Sequence, residues 1–458
     1  MSLNSADCST ISNSLFTNLN LTAKPITKAW VLTVRIAIVT GFILIFYSSI
    51  TGQLFQPLIH SIVNLHWSRL IIRPSILWAF MGMMLLAFRT LLWFRYRPFP
   101  SADSAEAPFL TVIIPAYNEG AMVENSINSV ATAHYPKDRL EIFVVDDGSK
   151  DDTWEYIQAA ARRYPGLVTP VRFPRNKGKR AALEAGFRQA RGEIVVTIDS
   201  DSVIEPKTLL AIAGPFRDGS VGAVAGKVMV YNRHEGIIPR MLHVRYILSF
   251  DFLRAVQSTY RTVYCCPGAL SAYRLSVVKK VIDPWMHQMF LGQPCTYGED
   301  RSMTNFILSQ GYDTVYQQTA VVHTNAPLTY TKLCRMYLRW DRSYIKEELR
   351  FAAIVWKRPL VPRLISIFDQ VITNLRFPVS YFSLVLVIAL TIADPSTLLR
   401  LLLVMGMTSL LNMLYYLHSE RSWDFIYGVL YSYFAFFALV WIFPTAVFTV
   451  RSRSWMTR

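Results

Sequence analysis

Residues 109–120 read FLTVIIPAYNEG, an apolar, β-rich run that stops at a polar turn. Residues 140–152, LEIFVVDDGSKDD, repeat this pattern, and residues 193–204, EIVVTIDSDSVI, show it a third time. Helical stretches lie between the runs, at residues 121–132 and 153–164. Because strands that alternate with helices form parallel sheets with helices on their faces, we predict an α/β domain with a mostly parallel sheet covered on both sides.

Acidic and polar side chains follow all three predicted strands. The first strand ends in PAYNEG at residues 115–120, the second at Asp147, and the third at Asp199 and Asp201. In a sheet of this type the strand ends meet at one edge, where ligands bind. One such group is commonly a helix cap or a turn residue. Three strand ends with the same chemistry favour a functional site instead.

Two segments near this edge have the chemistry to hold a cation and an anion. Asp199 and Asp201 are spaced to place two carboxylates on one side of a short turn, and such oxygen ligands suit Mg²⁺ or Mn²⁺. Residues 176–187, NKGKRAALEAGF, bring Lys179 to the start of a helix, whose N-terminus carries a partial positive charge. Each segment alone is also explained as a solvated surface loop. Together with the other strand ends they predict a diphosphate site with a bound cation.

The composition separates the middle of the chain from its ends. The 458 residues are 52% hydrophobic and 13% aromatic, and most charged residues lie between about residues 95 and 363. This distribution predicts a globular domain between membrane segments. The net charge of +16 fits an anionic phospholipid surface and, in part, an anionic nucleotide substrate. Nucleic acid is the weakest explanation, so no nucleic-acid partner is expected.

Apolar runs of about 20 residues, the length that crosses a bilayer, lie on both sides of the middle domain. The second run ends in Arg89, Arg95 and Arg97, which indicates a cytosolic end there. The sequence therefore predicts, in chain order, a disordered segment at residues 1–28, two transmembrane helices within residues 29–97, a cytosolic domain at residues 109–327, amphipathic interface helices at residues 328–376, transmembrane and re-entrant segments at residues 377–450, and a terminal tail at residues 451–458.

An acidic pair lies further along the middle domain. Residues 295–306, CTYGEDRSMTNF, place Glu299 and Asp300 beside Arg301. In isolation, this pair is best explained as the cap of the helix that follows, paired with Arg301. The segment YLRWDRS, which follows some forty residues later at residues 337–343, favours a catalytic role for the pair.

The ordered set PAYNEG, VVDDGS, NKGKRAAL, IDSDS, CCPGALSAYR, YGEDRSMTN and YLRWDRS resembles the processive family-2 glycosyltransferases, the membrane synthases of hyaluronan, chitin oligosaccharides and cellulose. The likeness covers about residues 109–345. Within the family, RAVQS, FLGQP, VYQQTA and the final SWMTR make the chain most similar to hyaluronan synthases, with chitin-oligosaccharide synthases close behind. The resemblance implies a GT-A-like cytosolic domain inserted between transmembrane helices of a multi-pass protein of the cell membrane.

The resemblance also implies how a UDP-sugar donor is held. Tyr117 and Asp147 would hold the uracil and the ribose, and Lys179 would help to bind the nucleotide. Asp199 and Asp201 would bind UDP and the Mg²⁺ or Mn²⁺ ion, with Asp201 as the direct metal ligand.

The acceptor side follows from the same resemblance. Asp300 would be the general base that takes a proton from the acceptor hydroxyl while that oxygen attacks the anomeric carbon and UDP leaves, and Glu299 is counted among the substrate-binding positions. Arg339 and Trp340 match the Arg-Trp of the family's QxxRW motif, so Arg339 would reach the diphosphate and Trp340 would give the acceptor sugar an aromatic platform. Cys266 matches a cysteine that lines the acceptor site, although core packing is the ordinary role of such a side chain.

The chain departs from the family pattern at Met336, which occupies the Gln position of QxxRW and cannot supply an amide hydrogen bond. The final SWMTR matches a tail motif that closes over the nucleotide, which implies that Trp455 and Arg458 contact UDP. For this gating tail to stay on the cytosolic side, we expect residues 423–450 to bend back near Pro444, because proline breaks helices.

Three functions are compatible with these observations. The first is an inverting, processive β-glycosyltransferase that polymerises sugars from UDP-N-acetylglucosamine, with or without UDP-glucuronate, onto a growing polysaccharide acceptor and exports the chain. Synthesis of a chitin oligosaccharide or another β-glucan-type polymer is a variant of it. The second is a single-addition transferase that acts on a lipid-phosphate acceptor. The third is a membrane scaffold without activity, which the presence of Asp199, Asp201, Asp300 and Arg339 disfavours.

Overall fold

The computed structural model describes residues 27–51 and 68–452. The predictions for residues 1–26, Trp455 and Arg458 lie outside these described residues.

The described residues divide into two compact units. The sheet unit contains residues 96–362 and 441–452. The helical unit contains residues 27–51, 68–95 and 363–440.

An eight-stranded mixed sheet forms the centre of the sheet unit. The strands of the described residues, including a separate two-stranded hairpin, are β1 (Leu110–Ala116), β2 (Leu140–Asp146), β3 (Val168–Arg172), β4 (Ile194–Ile198), β5 (Ser202–Ile204), β6 (Val221–Val230), β7 (Leu270–Arg274), β8 (Met289–Phe290), β9 (Gln293–Pro294) and β10 (Asp313–Thr324). The large sheet has the order β3-β2-β1-β4-β7-β6-β10-β5, and β8 pairs with β9.

The helices of both units are numbered in chain order. They are α1 (Lys28–Ile50), α2 (Ser68–Arg95), α3 (Met122–Ala131), α4 (Thr153–Arg163), α5 (Lys179–Gln189), α6 (Thr208–Ala213), α7 (Ile237–Ile247), α8 (Ala255–Thr259), α9 (Leu275–Met286), α10 (Glu299–Ser309), α11 (Tyr330–Ile354), α12 (Leu360–Ala393), α13 (Ser396–Ser419), α14 (Phe425–Ala438) and α15 (Ile442–Phe448). Short 3₁₀ turns occur at Lys137–Arg139, Gly214–Arg217, Arg233–Glu235 and Val355–Lys357, and a π-helix occupies Leu248–Arg254.

The predicted parallel arrangement holds for the strands that carry the acidic ends. β1 pairs in parallel with β2 and with β4, and β2 pairs in parallel with β3. The other half of the sheet is joined by β7, which runs antiparallel to both β4 and β6. β10 is parallel to β6 and antiparallel to β5. The sheet is therefore mixed, with the predicted direction in the half that carries the acidic strand ends.

Burial explains why the first strands are so apolar. Every residue of β1, β2 and β4 is buried. Since neighbouring side chains of a strand point to opposite faces, both faces of this part of the sheet are covered. The prediction of a sheet covered on both sides is confirmed here. The polar residues that follow the buried strands then lie at the carboxyl edge of the sheet, where ligands bind in folds of this type.

The helical unit holds long apolar helices. Among the described residues, α12 over Leu360–Ile392 and α13 are long and apolar enough to cross a membrane. The two spans predicted near the N-terminus are present as helices α1 and α2; their placement in a membrane stays a prediction.

One helix crosses the predicted boundary between the interface helices, up to residue 376, and the spans from residue 377. α12 runs over 34 residues, from Leu360 to Ala393. At 1.5 Å per residue this helix is about 51 Å long, against about 30 Å for the apolar core of a bilayer. The charged first half and the apolar second half thus belong to one helix.

Asp369, in the first half of α12, has a charged partner within the helical unit. The guanidinium of Arg89 on α2 donates to Asp369 Oδ1 at 2.7 Å and to Thr373 Oγ1 at 2.6 Å. The side chain of Asp369 is only 4% exposed. A buried carboxylate needs such a pairing, because an isolated one is costly.

The last apolar segment is interrupted. α14 ends at Ala438 and α15 begins at Ile442, so the pair is either a broken span or a re-entrant segment. The break lies before Pro444 rather than at it. Pro444 lies in the first turn of α15, where backbone N–H groups have no acceptor within the helix, so the N–H that proline lacks is not missed there.

Candidate active site

Hydrogen bonds connect the loops after β1, β2 and β4. The backbone N–H groups of Glu119 and Gly120 donate to Thr153 Oγ1 at 2.8 and 2.9 Å, which ties the loop after β1 to the start of α4. Ser200, between the two aspartates of IDSDS, donates to Glu119 Oε1 at 3.0 Å. The three strand ends therefore meet at one edge of the sheet, and Tyr117 lies half-buried in the first loop.

Asp147 holds the loop that leads into α5. Its Oδ1 accepts a hydrogen bond from the Lys177 N–H at 2.7 Å, and its Oδ2 accepts one from the Gly178 N–H at 2.8 Å. Burial raises the pKa of Asp147, although these two backbone donors act against the rise. In this structure Asp147 fixes the position of Lys179, which begins the helix.

Gly148 explains why this loop lies so close to β2. Its φ is +73°, and a Cβ there would lie 2.6 Å from the carbonyl carbon of Arg175 and 2.7 Å from the Asn176 nitrogen. Only glycine fits both the left-handed backbone and this close approach. The DDG segment at residues 146–148 and the NKG segment at residues 176–178 therefore pack directly against each other.

Lys179 lies at the centre of the charged groups. Its Nζ is 2.5 Å from Asp199 Oδ1 and 3.2 Å from Glu299 Oε1. Burial works to lower the pKa of Lys179, but the charges of Asp199 and Glu299 outweigh it and raise that pKa above its usual value. A fully charged ammonium group is thus held at the predicted diphosphate position.

Asp300 begins α10 and is held by backbone donors. The Arg301 N–H donates to Oδ1 at 2.7 Å and the Gly268 N–H donates to Oδ2 at 3.2 Å. Burial raises the pKa of Asp300, and the neighbouring charge of Glu299 raises it further. A carboxylate with a raised pKa accepts a proton more readily, as a general base must.

Glu299 is in the opposite electrostatic state. Burial alone would raise its pKa, but the positive charges of Lys179 and Arg339 outweigh burial and lower the pKa to about 2. Glu299 is therefore an anion and Asp300 is the more basic of the two carboxylates. Two adjacent carboxylates with separated pKa values are typical of acid–base sites.

A glycine sets the entry to α10. Gly298 adopts a left-handed backbone with φ of +79°, and a Cβ at this position would overlap the Ser343 side chain on α11. The first turn of α10 is thus in direct contact with the helix that carries Arg339 and Trp340.

One pocket is lined by four charged side chains, together with Pro115 of β1 and Gly268. The charged side chains are those of Lys179, Asp199, Glu299 and Asp300. Gly268 was not predicted as a site residue, yet a Cβ there would lie 2.8 Å from Lys179 Nζ and 3.4 Å from Asp199 Oδ1. Its position in CCPG, among the family motifs, was the signal in the sequence.

Arg339 and Trp340 lie on α11. The positive charge of Arg339 acts on Glu299. The ring of Trp340 is 39% exposed and its centre lies 5.6 Å from that of Tyr337 and 6.2 Å from that of Tyr246. Met336, one turn earlier, is buried. An exposed indole face with an aromatic surround is suited to stack on a sugar ring.

The two neighbouring cysteines occupy different places. Cys266 is fully buried and its backbone N–H donates to Thr304 Oγ1 at 3.0 Å, so the structure favours core packing for it. Cys265 lies beside Asp300, with its sulphur 3.8 Å from Asp300 Oδ2. The cysteine closer to this carboxylate is therefore Cys265, which the sequence did not single out.

Asp201 lies outside the pocket lining, beside the end of β10. Its Oδ1 accepts from Ser202 Oγ and Thr324 Oγ1, both at 3.3 Å. Across residues 27–51 and 68–452, no group of three or more His, Cys, Asp or Glu side chains is placed to hold a metal ion. Asp199 and Asp201 nevertheless fit a Mg²⁺-type ion, which commonly takes one or two carboxylates and completes its shell with substrate phosphates.

The segment after α15 is hydrogen-bonded to the loop that precedes α10. Tyr297, two residues before Glu299, donates from its hydroxyl to the carbonyl oxygens of Val450 at 3.3 Å and Ser452 at 3.0 Å. Arg342 donates to Thr449 Oγ1 at 2.8 Å through Nη2. The sequence contained no signal for these contacts, which hold the segment that precedes SWMTR.

Comparison with known proteins gives the site a context. A family model described as Glycosyl transferase family 2 matches residues 111–282. An N-acetylglucosaminyltransferase of Rhizobium meliloti (strain 1021) is 30% identical over 364 residues, which are 79% of this chain and 82% of the relative. A hyaluronan synthase of Streptococcus pyogenes serotype M1 is 29% identical over 385 residues, which are 82% of this chain and 90% of the relative.

A solved structure shares the fold. The mannosyltransferase from Pyrobaculum calidifontis, in complex with GDP-Man and Mn²⁺, superposes with a TM-score of 0.55 at 22% identity and covers 78% of this chain and 97% of its own.

Proposed function

Because this chain belongs to glycosyltransferase family 2, we propose that it is a membrane-embedded, inverting synthase that polymerises sugars from UDP-sugar donors. The proposed donors are UDP-N-acetylglucosamine, with or without UDP-glucuronate. Relatives named hyaluronan synthase and N-acetylglucosaminyltransferase, each matched over most of its length, support this choice.

One observation carries the proposal: the Asp300 carboxylate, whose pKa is raised, and the Lys179 ammonium group line the same pocket. Asp300 lines the same pocket as Lys179 and Asp199. A transferase needs both groups, since the acceptor hydroxyl must lose a proton while the departing UDP gains negative charge.

On the donor side, Lys179 and Arg339 would bind the diphosphate. Arg339 supplies a forked guanidinium that suits phosphate oxygens. Asp199 and Asp201 would hold a divalent ion, which when bound neutralises the diphosphate. Tyr117 and Asp147 would hold the nucleoside, at the ends of β1 and β2.

On the acceptor side, Asp300 takes the proton of the attacking hydroxyl. That oxygen forms its bond to the anomeric carbon as the bond to UDP breaks, in a single in-line displacement. An α-linked UDP-sugar therefore gives a β-glycosidic bond. Trp340 would stack on the acceptor sugar and hold it at the base.

The helical unit supports a location in the cell membrane. Two helices of sufficient length and apolarity follow the sheet unit. We propose a multi-pass protein with the sheet unit in the cytosol, where UDP-sugars are made, and with the spans as the route by which the polymer leaves. The tail with Trp455 and Arg458 would close over the nucleotide.

Incubation of the purified full-length enzyme with single UDP-sugars and with pairs tests the proposal. UDP release with UDP-N-acetylglucosamine, and a long polymer only when UDP-glucuronate is added, is the result expected of a hyaluronan synthase. A polymer from UDP-N-acetylglucosamine alone indicates the chitin-type variant, which the N-acetylglucosaminyltransferase relative favours. Addition of one sugar to a lipid phosphate, without polymer, would overturn the proposal of a synthase.

A further inference from the structure

A buried glutamine connects three helices next to the site. Gln288 lies just before β8 and is 6% exposed. Its side-chain oxygen accepts from Ser302 Oγ at 2.5 Å and lies 3.4 Å from both terminal nitrogens of Arg180. Its amide nitrogen donates to Glu347 Oε1 at 2.6 Å. Because arginine only donates and a carboxylate only accepts, these neighbours determine which way the amide points.

Glu347 extends the network. Its Oε2 accepts from Asn305 Nδ2 at 2.9 Å, and its backbone carbonyl accepts from the same nitrogen at 2.9 Å. Glu347 is 2% exposed and Asn305 is 1% exposed. Hydrogen bonds between groups this deeply buried are strong, and the loss of one partner leaves the other unsatisfied at a cost.

Each partner of Gln288 lies on a helix that carries a site residue. Arg180 follows Lys179 at the start of α5, and its Nη1 also donates to the Trp285 carbonyl oxygen at 2.8 Å. Ser302 lies in the first turn of α10, two residues after Asp300. Glu347 lies on α11, about two turns after Arg339.

We propose that Gln288 is a positioning residue that keeps Lys179, Asp300 and Arg339 at fixed positions relative to one another. This inference rests on the proposed function. An amide is the required group, because it accepts from Arg180 and Ser302 while it donates to Glu347. Catalytic groups must stay within a fraction of an ångström of their working positions, and a misplacement of 1 Å can cost about 10²-fold in rate.

An exchange of side chains tests the proposal. Gln288→Glu places a second carboxylate against Glu347 and is expected to lower kcat for UDP release about 10²-fold. The double variant Gln288→Glu with Glu347→Gln restores an amide–carboxylate pair with the roles reversed. Residue 288 then still accepts from Arg180 and Ser302, and residue 347 still accepts from Asn305. We expect kcat to return to within about 3-fold of the wild type.

A matched control separates position from stability. Gln317 is also fully buried, and its amide nitrogen donates to the Phe99 and Ala211 carbonyl oxygens at 2.9 and 3.0 Å. Gln317→Glu makes the same chemical change on β10, and kcat per folded enzyme is expected to stay at the wild-type value. Ser302→Ala removes one donor to Gln288 with little risk to folding and is expected to lower kcat about 3- to 10-fold.

The proposal is overturned if Gln288→Glu loses no more activity than Gln317→Glu at the same Tm, if the exchange does not restore kcat, or if Ser302→Ala is fully active. Failure of the proposed function would look different, because the wild type itself would release no UDP. In that case the positioning role of Gln288 is tested by the rate of amide hydrogen exchange in the first turn of α10, a measurement that needs no substrate. We expect it to rise about 10-fold in Gln288→Glu and to fall back in the exchanged variant.

Discussion

Replacement of Asp300 by Asn is the most direct test of the chemistry. The change keeps the shape of the side chain but replaces the carboxylate by an amide, whose oxygen is too weakly basic to take the proton of the acceptor hydroxyl. The hydrogen bond from the Arg301 N–H can remain, whereas the amide group cannot accept at both of its ends. Loss of the bond from the Gly268 N–H should cost about 1 kcal/mol of folding free energy.

The expected effect on the rate is much larger than the effect on folding. A positioned general base contributes about 10²- to 10⁴-fold, or about 2.7 to 5.4 kcal/mol at 1.36 kcal/mol per decade. The pKa of Asp300 is raised by burial and by Glu299, which brings the base closer to the operating pH. We therefore expect the upper half of this range, with kcat for UDP release lowered about 10³-fold or more.

The assay is UDP release by purified enzyme, with UDP binding measured in parallel. Binding should be retained, because the diphosphate contacts Lys179 and Arg339 in the proposed complex. Asp251→Asn is the matched control: Asp251 is 3% exposed and pairs with Lys227 at 2.8 Å, so the variant should lose stability while the folded enzyme still turns over. UDP release by Asp300→Asn within about 3-fold of the wild type would refute the assignment of the base.

Three further predictions concern the candidate active site. Because the pKa of Asp300 is raised, this carboxylate becomes protonated at a higher pH than an ordinary aspartate, and kcat/KM should decrease at that higher pH as the solution is acidified. Glu299→Gln removes the neighbouring negative charge and should lower the pKa of Asp300. The acid-side decrease of kcat/KM in a pH–rate profile should then occur at a lower pH. Gly268→Ala should displace the Lys179 ammonium group, raising KM for the donor about 3- to 10-fold without loss of Tm, as steady-state kinetics will measure. Removal of divalent cations with EDTA should abolish UDP release, and added Mn²⁺ or Mg²⁺ should restore it.

The parallel half of the sheet could be predicted because its signal is local. Each of β1, β2 and β4 is buried at every position, so a mostly apolar run that stops at polar or acidic residues indicates both the strand and the point where it ends. The direction of β7 has no such signal. LSAYR is compatible with either direction, and only its place between β4 and β6 makes it antiparallel.

Long-range partners limited the remaining predictions. The charges within residues 360–376 predict a membrane-surface pattern, because the sequence does not show that Arg89 neutralises Asp369 from another helix. The sequence likewise carries no signal for Gln288, since its partners are 14, 59 and 108 positions away. Cys265 and Cys266 show a different limit: neighbours in an irregular loop face different surroundings, and no periodicity indicates which one lies beside Asp300.

The contact between Gly298 and Ser343 has a mechanical consequence. Because no side chain separates the start of α10 from α11 at this point, the backbone before Asp300 lies directly against the helix that carries Trp340. A larger residue at position 298 would therefore push the start of α10, and Asp300 with it, away from α11.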